Sequence, residues 1–361
     1  MPAITHVEAY LIDVAVETVR TDAVQAFLKQ ETIFVEIRTD DGGTGTGYSY
    51  TIGTGGSAVL ALLHDYLLPR LLGADPRRVE QIWRDNFVAT RATTVGAITS
   101  LALAAIDTAL WDWRCRAIDA PLWIVAGGAK DRIPLYDTEG GWLQLTVDDL
   151  VAGAKASQAA GWPGVKLKIG RSPFEDAERL AAVRAAVGPD FDLMVDANQS
   201  MTAPDAIRRA RLLEASDPYW FEEPLPADDV AGHRAVAAAT SIPVAVGESL
   251  YSIGQFRDYL QRQAAGIVQV DVARIGGITP WLKVAHLAEA FNVVVCPHFL
   301  MELHVSLTCA IPHSAYLEYI PQLRAITHNE IEVVDGHALA PTGTGLGIEW
   351  DRDAIDNRRS T

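Results

Sequence analysis

The chain has 361 residues, about half of them hydrophobic, and a formal net charge of −16 from 46 acidic and 30 basic residues. That is more than one average domain, with ample material for a core, and its negative field disfavours nucleic acid and anionic lipid as partners. An anionic substrate would also be repelled at long range, so a bound cation and a few local bases would have to overcome that field.

The three cysteines, Cys115, Cys296 and Cys309, show no paired spacing, which argues against a disulfide framework or a cysteine zinc site. The N-terminal MPAITHVEAYLIDV lacks a basic region followed by an apolar core, so it does not read as a signal peptide. No apolar run approaches the roughly 20 residues of a membrane span. A cytoplasmic protein with no membrane partner is expected.

From Ile4 to about Tyr50 the pattern alternates as in strands, and TIFVEIRTD runs into the turn-rich DGGTGTG. Those glycines complete no phosphate-loop motif and read as a hairpin turn. Thr18 to Glu31 has little regular pattern and is expected to be a mobile loop. From Val59 to about Ala126 the periodicity is helical. Residues 1–128 are therefore expected to form an α+β domain.

After Gly128 short apolar runs alternate with amphipathic helical stretches. The runs are RIPLYD (132–137), VKLKIG (165–170), LMVDAN (193–198), YWFEEP (219–224), VAVGES (244–249), IVQVDV (267–272), VVVCPH (293–298) and YLEYI (316–320). Eight such repeats predict a closed parallel barrel over 129–320. No strong helix follows the eighth run, so the last helix is expected to be missing, with 321–361 returning to the N-terminal domain. The fold class is α/β, a modified TIM barrel (β/α)7β with an N-terminal α+β cap.

In such barrels the active site lies at the C-terminal ends of the strands. There the second run carries Lys166 and Lys168, and the third Asp196 and Asn198. The fourth carries Glu222 and Glu223, the fifth Glu248, the sixth Asp271, the seventh His298 and the eighth Glu318. Ionisable groups are costly to bury unpaired, and seven consecutive strand ends carrying them exceed what rim ion pairs explain. Asp196, Glu222 and Glu248 follow one another at 26-residue intervals, each one βα repeat. Three converging carboxylates repel, and one would have to be protonated unless a hard cation with oxygen ligands sat among them. Two lysines cannot neutralise all the acids together. Lys166 and Lys168, two apart on a strand, face the same way. Their mutual repulsion and burial are expected to lower a lysine pKa towards that of a usable base. Asp271 stands one strand from His298 and could fix its tautomer.

With GVKLKIG, MVDANQS, WFEEPL, VGES, RIGGIT after Asp271, and PHFLMELH, the chain resembles the enolase superfamily, in its mandelate racemase subgroup, over nearly its whole length. The resemblance implies that Asp196, Glu222 and Glu248 ligate Mg²⁺. It makes Lys168 one base and His298, backed by Asp271, the opposing one. Lys166 would contact the carboxylate of a small-molecule substrate. Glu318, if protonated, would hydrogen-bond the carboxylate oxygen that gains charge. The implied chemistry is removal of the proton α to a carboxylate through an enediolate. The outcomes are dehydration of an aldaric or aldonic sugar acid to a 2-keto-3-deoxy acid, epimerisation, or cycloisomerisation.

YDTEGGWLQ and PHFLMELHVSL look most like galactarate/talarate-type dehydratases, and TGYSYTIGTGG also resembles 3,6-anhydro-galactonate cycloisomerases. Asn198 is a candidate substrate contact. Arg20, Thr21, Asp22, Gln25, Lys29 and Gln30 could cover the site and bind hydroxyls or a distal carboxylate, with Arg20 and Lys29 as candidate contacts. Glu302 and His304 read as incidental polarity at a helix start. A metal-dependent hydrolase would need several histidine ligands, and only His298 is well placed. A non-catalytic barrel should have lost a ligand or base, and none is lost. The family likeness also implies a homo-oligomer, dimer to octamer.

Overall fold

The computed structural model describes residues 1–359. It opens with an antiparallel sheet of β1 (Ile4–Thr21), β2 (Ala26–Thr39) and β3 (Thr44–Thr51) in that order. Alternate residues such as Ile33, Val35 and Ile37 are fully buried. Much of the sheet packs on the 21-residue helix Ala97–Ala117. Here the DGGTGTG glycines divide their work. Gly42 takes the left-handed conformation of the turn (φ 87°). Gly45 and Gly47 lie in β3, where a Cβ would come within 2.2 Å of the Ala109 and Ala105 carbonyl oxygens of that helix.

The expected loop at Thr18–Glu31 is instead regular. β1 and β2 continue as a paired ribbon, Arg20 opposite Phe27 and Thr21 opposite Ala26, and turn through Asp22–Gln25. A register shift between Ala15 and Arg20 breaks the alternation, and one face of the ribbon meets solvent, so the sequence lacks the usual strand signal.

The barrel consists of β4 (Arg132–Asp137), β5 (Gly164–Lys168), β6 (Asp192–Asp196), β7 (Trp220–Glu222), β8 (Val244–Val246), β9 (Ile267–Val268), β10 (Val294–Val295) and β11 (Leu317–Tyr319). Neighbours pair in parallel from β4 to β10, and β11 pairs with β4. A parallel bridge from Val295 to Ser314 closes the ring. Every apolar run of the sequence contains one of these strands. Apart from the first, every strand ends before its run does.

Seven helices follow the first seven strands. Five of them begin with a side-chain cap, from Thr146, Ser172, Thr202, Asp229 and Ser252, which satisfies an otherwise orphaned N–H. No α-helix directly follows β11. The hairpin β12 (Val333–Val334) and β13 (His337–Leu339) lies antiparallel on the start of β4 instead. The chain then returns to the first sheet, where Trp350 packs edge-on against Phe34 and Tyr48 and Arg352 pairs with Glu36.

Asp107 makes one of the buried contacts that tie cap to barrel. Asp107 accepts from the Thr279 N–H (2.8 Å) and hydroxyl (2.7 Å) at the start of helix Ile278–Ala290. Gly277 permits this, since a Cβ there would meet the Asp107 side chain at 2.4 Å.

Candidate metal and proton-transfer site

Parallel register builds the site. Lys168 on β5 lies beside Asp196 on β6, which lies beside Glu222 on β7. Two residues beyond β8 comes Glu248. One carboxylate oxygen from each of Asp196, Glu222 and Glu248 lies within 4.8 Å of the others. Asp196 and Glu222 are fully buried and Glu248 is 9 % exposed.

Each acid is held from outside the cluster. Asp196 accepts from the Asn198 N–H (2.9 Å), Glu222 from the Trp220 indole (2.9 Å), and Arg274 pairs with Glu248 at 3.4 Å. Burial and the Asp196 charge push the Glu222 carboxyl up to about 7, the signature of acids crowded together. Three hard oxygen donors with inward-facing atoms fit a divalent cation of the Mg²⁺ kind.

Both lysines are buried at this cluster. Lys166 reaches Glu222 and Glu318, each at 2.9 Å, and Lys168 pairs with Asp196. The expected fall in lysine pKa does not occur. Burial alone would lower both, but Asp196 beside Lys168, and Glu222 and Glu318 beside Lys166, outweigh burial and mutual repulsion and raise them. Unlike charges at contact dominate here.

His298 stands at the other end of the cluster. Its Nε2 is 3.1 Å from Glu248 and its Nδ1 is 2.9 Å from Asp271 Oδ2. Asp271 is fully engaged. Oδ2 also accepts from the Tyr50 hydroxyl (2.7 Å), and Oδ1 from the Ala273 and Arg274 N–H groups (2.7 and 3.1 Å). Burial would raise Asp271, but His298 outweighs it and holds the carboxyl down at about 2. For His298 burial lowers the pKa, and Glu248 and Asp271 more than reverse it.

His304, expected to be incidental, is completely buried. Its Nδ1–H donates to the Phe299 carbonyl (3.0 Å), leaving Nε2 to accept the Val272 N–H (3.1 Å). It thus joins the residue after Asp271 to the residue after His298. Burial depresses its pKa to about 4. Glu302 is likewise buried and accepts from the Gln322 and Leu323 N–H groups.

Glu318 differs from expectation. It accepts from the Thr138 hydroxyl (2.7 Å), the Phe299 N–H (2.8 Å) and Lys166. Burial would raise it, but Lys166, His298 and the Phe299 N–H keep it ionised, well below the usual carboxylate range. It is an acceptor here, not the protonated donor anticipated.

A small cavity above the cluster is lined by Lys168, Asn198, Glu248, His298 and Glu318, together with Asp22, Gln25 and Phe27 of the ribbon. Asn198 has a left-handed backbone (φ 44°) and a buried, unpartnered Oδ1. Arg20 and Lys29 do not line this cavity. Arg20 is buried against Glu139 (2.5 Å) and Gln322 (3.2 Å), and Lys29 pairs at the surface with Asp13 and Glu31. The sequence reading missed Tyr50, Arg274, Thr138 and Trp142, the last lining the cavity with its ring beside the Lys168 ammonium (5.4 Å). Tyr50 sits on the cap and meets the site only through docking, so no local pattern marks it. Arg274, three residues after Asp271, could have been found as a buried charge beside that strand end.

Residues 6–127 match the mandelate racemase/muconate lactonizing enzyme N-terminal domain, and residues 149–354 match the enolase C-terminal domain-like family. The chain is 36 % identical over 323 residues to L-talarate/galactarate dehydratase of Salmonella typhimurium, covering 89 % of this chain and 81 % of that one. It is 35 % identical to 3,6-anhydro-alpha-L-galactonate cycloisomerase of Streptomyces coelicolor, over 98 % of both chains. Among solved structures, L-talarate dehydratase from Polaromonas sp. JS666, complexed with Mg and L-glucarate, superposes with a TM-score of 0.95 at 34 % identity, covering 100 % of this chain and 98 % of that one. A racemase from Streptomyces coelicolor A3(2) with bound magnesium gives 0.94 at 34 % identity, covering 99 % and 100 %. With both of its parts matched to one family, this chain is an enzyme of the mandelate racemase/muconate lactonizing enzyme family, within the enolase superfamily.

Proposed function

We propose that the enzyme removes the proton α to the carboxylate of a sugar acid and dehydrates an aldaric or aldonic acid to a 2-keto-3-deoxy acid. The observation that carries this is the position of Lys168 and His298 at opposite ends of one acidic cluster, in contact with Asp196 and Glu248 respectively, which would suit them as two opposed bases. Asp196, Glu222 and Glu248 would hold Mg²⁺, which when bound supplies the positive charge that a developing enediolate needs. Lys166 points its ammonium at the substrate carboxylate, kept charged and aimed by Glu318. Lys168, able to lose its proton once a bound cation offsets the Asp196 charge that holds it, or His298 would take the α-proton from its own face. His298, as imidazolium, then gives a proton to the β-hydroxyl, the C–O bond breaks, water leaves, and the enol formed becomes the keto acid.

A second reading, cycloisomerisation of an anhydro-sugar acid or lactone, is favoured by the near-complete overlap with the Streptomyces cycloisomerase. Return of the proton to the opposite face would instead give epimerisation. Proton NMR in D₂O with Mg²⁺ separates these outcomes across galactarate, talarate, galactonate and 3,6-anhydrogalactonate. A 2-keto-3-deoxy signal supports dehydration. Conversion of the anhydro acid alone replaces it with the second reading.

In this reading residues 1–128, joined by 321–361, cap a catalytic barrel over 129–320. The chain works in the cytoplasm, in keeping with three buried free cysteines. It assembles as a homo-oligomer, for which the exposed Val19, Val24 and Leu28 of the ribbon offer apolar surface. No described helix is long and apolar enough to cross a membrane.

A further inference from the structure

Resting on the sugar-acid reading above, we propose that Asp22 receives a hydroxyl group at the far end of the substrate, so that the enzyme prefers acids with one carboxylate to aldaric diacids. Asp22 opens the ribbon's turn and is 4 % exposed. Its Oδ1 accepts from the Val24 and Gln25 N–H groups (2.7 and 2.8 Å), while Oδ2 is buried and has no hydrogen-bond partner. The residue lines the same cavity as Lys168 and His298.

The turn is fixed in place. Leu143 N–H donates to the Thr21 carbonyl (2.9 Å), and Ala23 seats on Gly170, where an added Cβ would meet the Ala23 Cβ at 2.5 Å. A buried carboxylate oxygen without a donor is costly. A sugar hydroxyl supplies that donor, and a second carboxylate does not.

The distribution of cations points the same way. Lys168, Arg274 and His298 also line the cavity, but each is engaged by the acidic cluster, pairing with Asp196, with Glu248, and with both Asp271 and Glu248. On the ribbon, Arg20 and Lys29 are occupied by Glu139 and by Asp13 and Glu31. The ribbon contributes to the cavity an acid, an amide and a phenyl ring, from Asp22, Gln25 and Phe27. A distal carboxylate would meet Asp22 with no cation from the ribbon to offset it, a repulsive element of the kind that sets specificity.

The test compares kcat/KM of the Mg²⁺-loaded enzyme on pairs that differ only at the far carbon, galactonate with galactarate and talonate with talarate, alongside 3,6-anhydrogalactonate. Wild type is expected to favour the monoacids by tenfold or more. In Asp22→Asn the side-chain oxygen keeps the two N–H donors and the amide NH₂ faces the cavity. The monoacid preference should then shrink by roughly ten- to a hundredfold, with diacid turnover rising. A wild-type preference for diacids, or an unchanged ratio in the variant, would overturn the role of Asp22 while leaving α-proton chemistry intact. Absence of α-proton exchange from every acid in the set would overturn the sugar-acid reading and this inference together.

Discussion

Replacing Asp271 by Asn should disable one base and spare the other. Oδ1 of Asp271 accepts two backbone N–H groups, and Oδ2 accepts from His298 Nδ1 and the Tyr50 hydroxyl. In the variant the amide oxygen must stay with the two N–H donors, so the NH₂ turns to His298. An amide N–H can only donate, so Nδ1 becomes the acceptor and the ring proton moves to Nε2. That is the nitrogen at the acidic cluster, and carrying a proton it cannot receive another from substrate. An enforced wrong tautomer of this kind costs roughly 10⁴-fold, about 5 kcal/mol. Lys168 has no contact with Asp271, and exchange on its face should fall by less than about tenfold if the sites act independently. The assay is α-proton wash-out in D₂O for an epimeric pair of sugar acids, followed by proton NMR. Equal losses on both faces, or no loss on either, would refute the division of labour between His298 and Lys168.

Tyr50→Phe removes one hydrogen bond to the same carboxylate, and should slow the His298-dependent exchange by about 1.5–3 kcal/mol, or ten- to a hundredfold. Exchange by Lys168 should be nearly unchanged, which D₂O wash-out of each epimer will read. Lys168→Ala should give the mirror image of Asp271→Asn, with exchange surviving only on the His298 face. His304 predicts a pH effect on stability. Its pKa is 6.5 when free and about 4 in the fold, so the unfolded chain binds more protons in between and stability falls as pH drops from 6.5 to 4. The gap corresponds to about 3 kcal/mol. Urea unfolding at pH 7 and pH 4.5 should show this loss, and His304→Gln should flatten the slope. Glu222→Gln should weaken Mg²⁺ binding in calorimetry by at least tenfold, and an unchanged Kd would remove Glu222 from the metal site.

How much the sequence disclosed depends on the range of each interaction. The barrel was legible because apolar runs and helical stretches alternate, and the 26-residue spacing of Asp196, Glu222 and Glu248 repeats that unit. The shared face of Lys166 and Lys168 followed from strand period alone. Their ionisation did not, because it depends on which carboxylate each ammonium touches. The same holds for Glu318, whose state is set by Lys166 and by His298 and Phe299, from two other segments. Asp22 was among the polar residues expected over the site, whereas Tyr50 reaches it only because the first sheet docks over the barrel mouth, and no pattern along β3 encodes that contact. The ribbon was hidden by a bulge and a solvent-facing side. His304 looked like incidental polarity at a helix start because its partners, Val272 and Phe299, donate or accept through backbone atoms that leave no trace in side-chain spacing.

The central claim is that a cation held by Asp196, Glu222 and Glu248 lets Lys168 and His298 strip an α-proton. The most direct measurement is α-proton exchange of sugar acids in D₂O as Mg²⁺ is titrated into chelator-treated enzyme. Exchange that is absent in chelator and rises to saturation with Mg²⁺ is the predicted result. Exchange at full rate in excess chelator, or none at any Mg²⁺ concentration with any of the acids, would contradict the account.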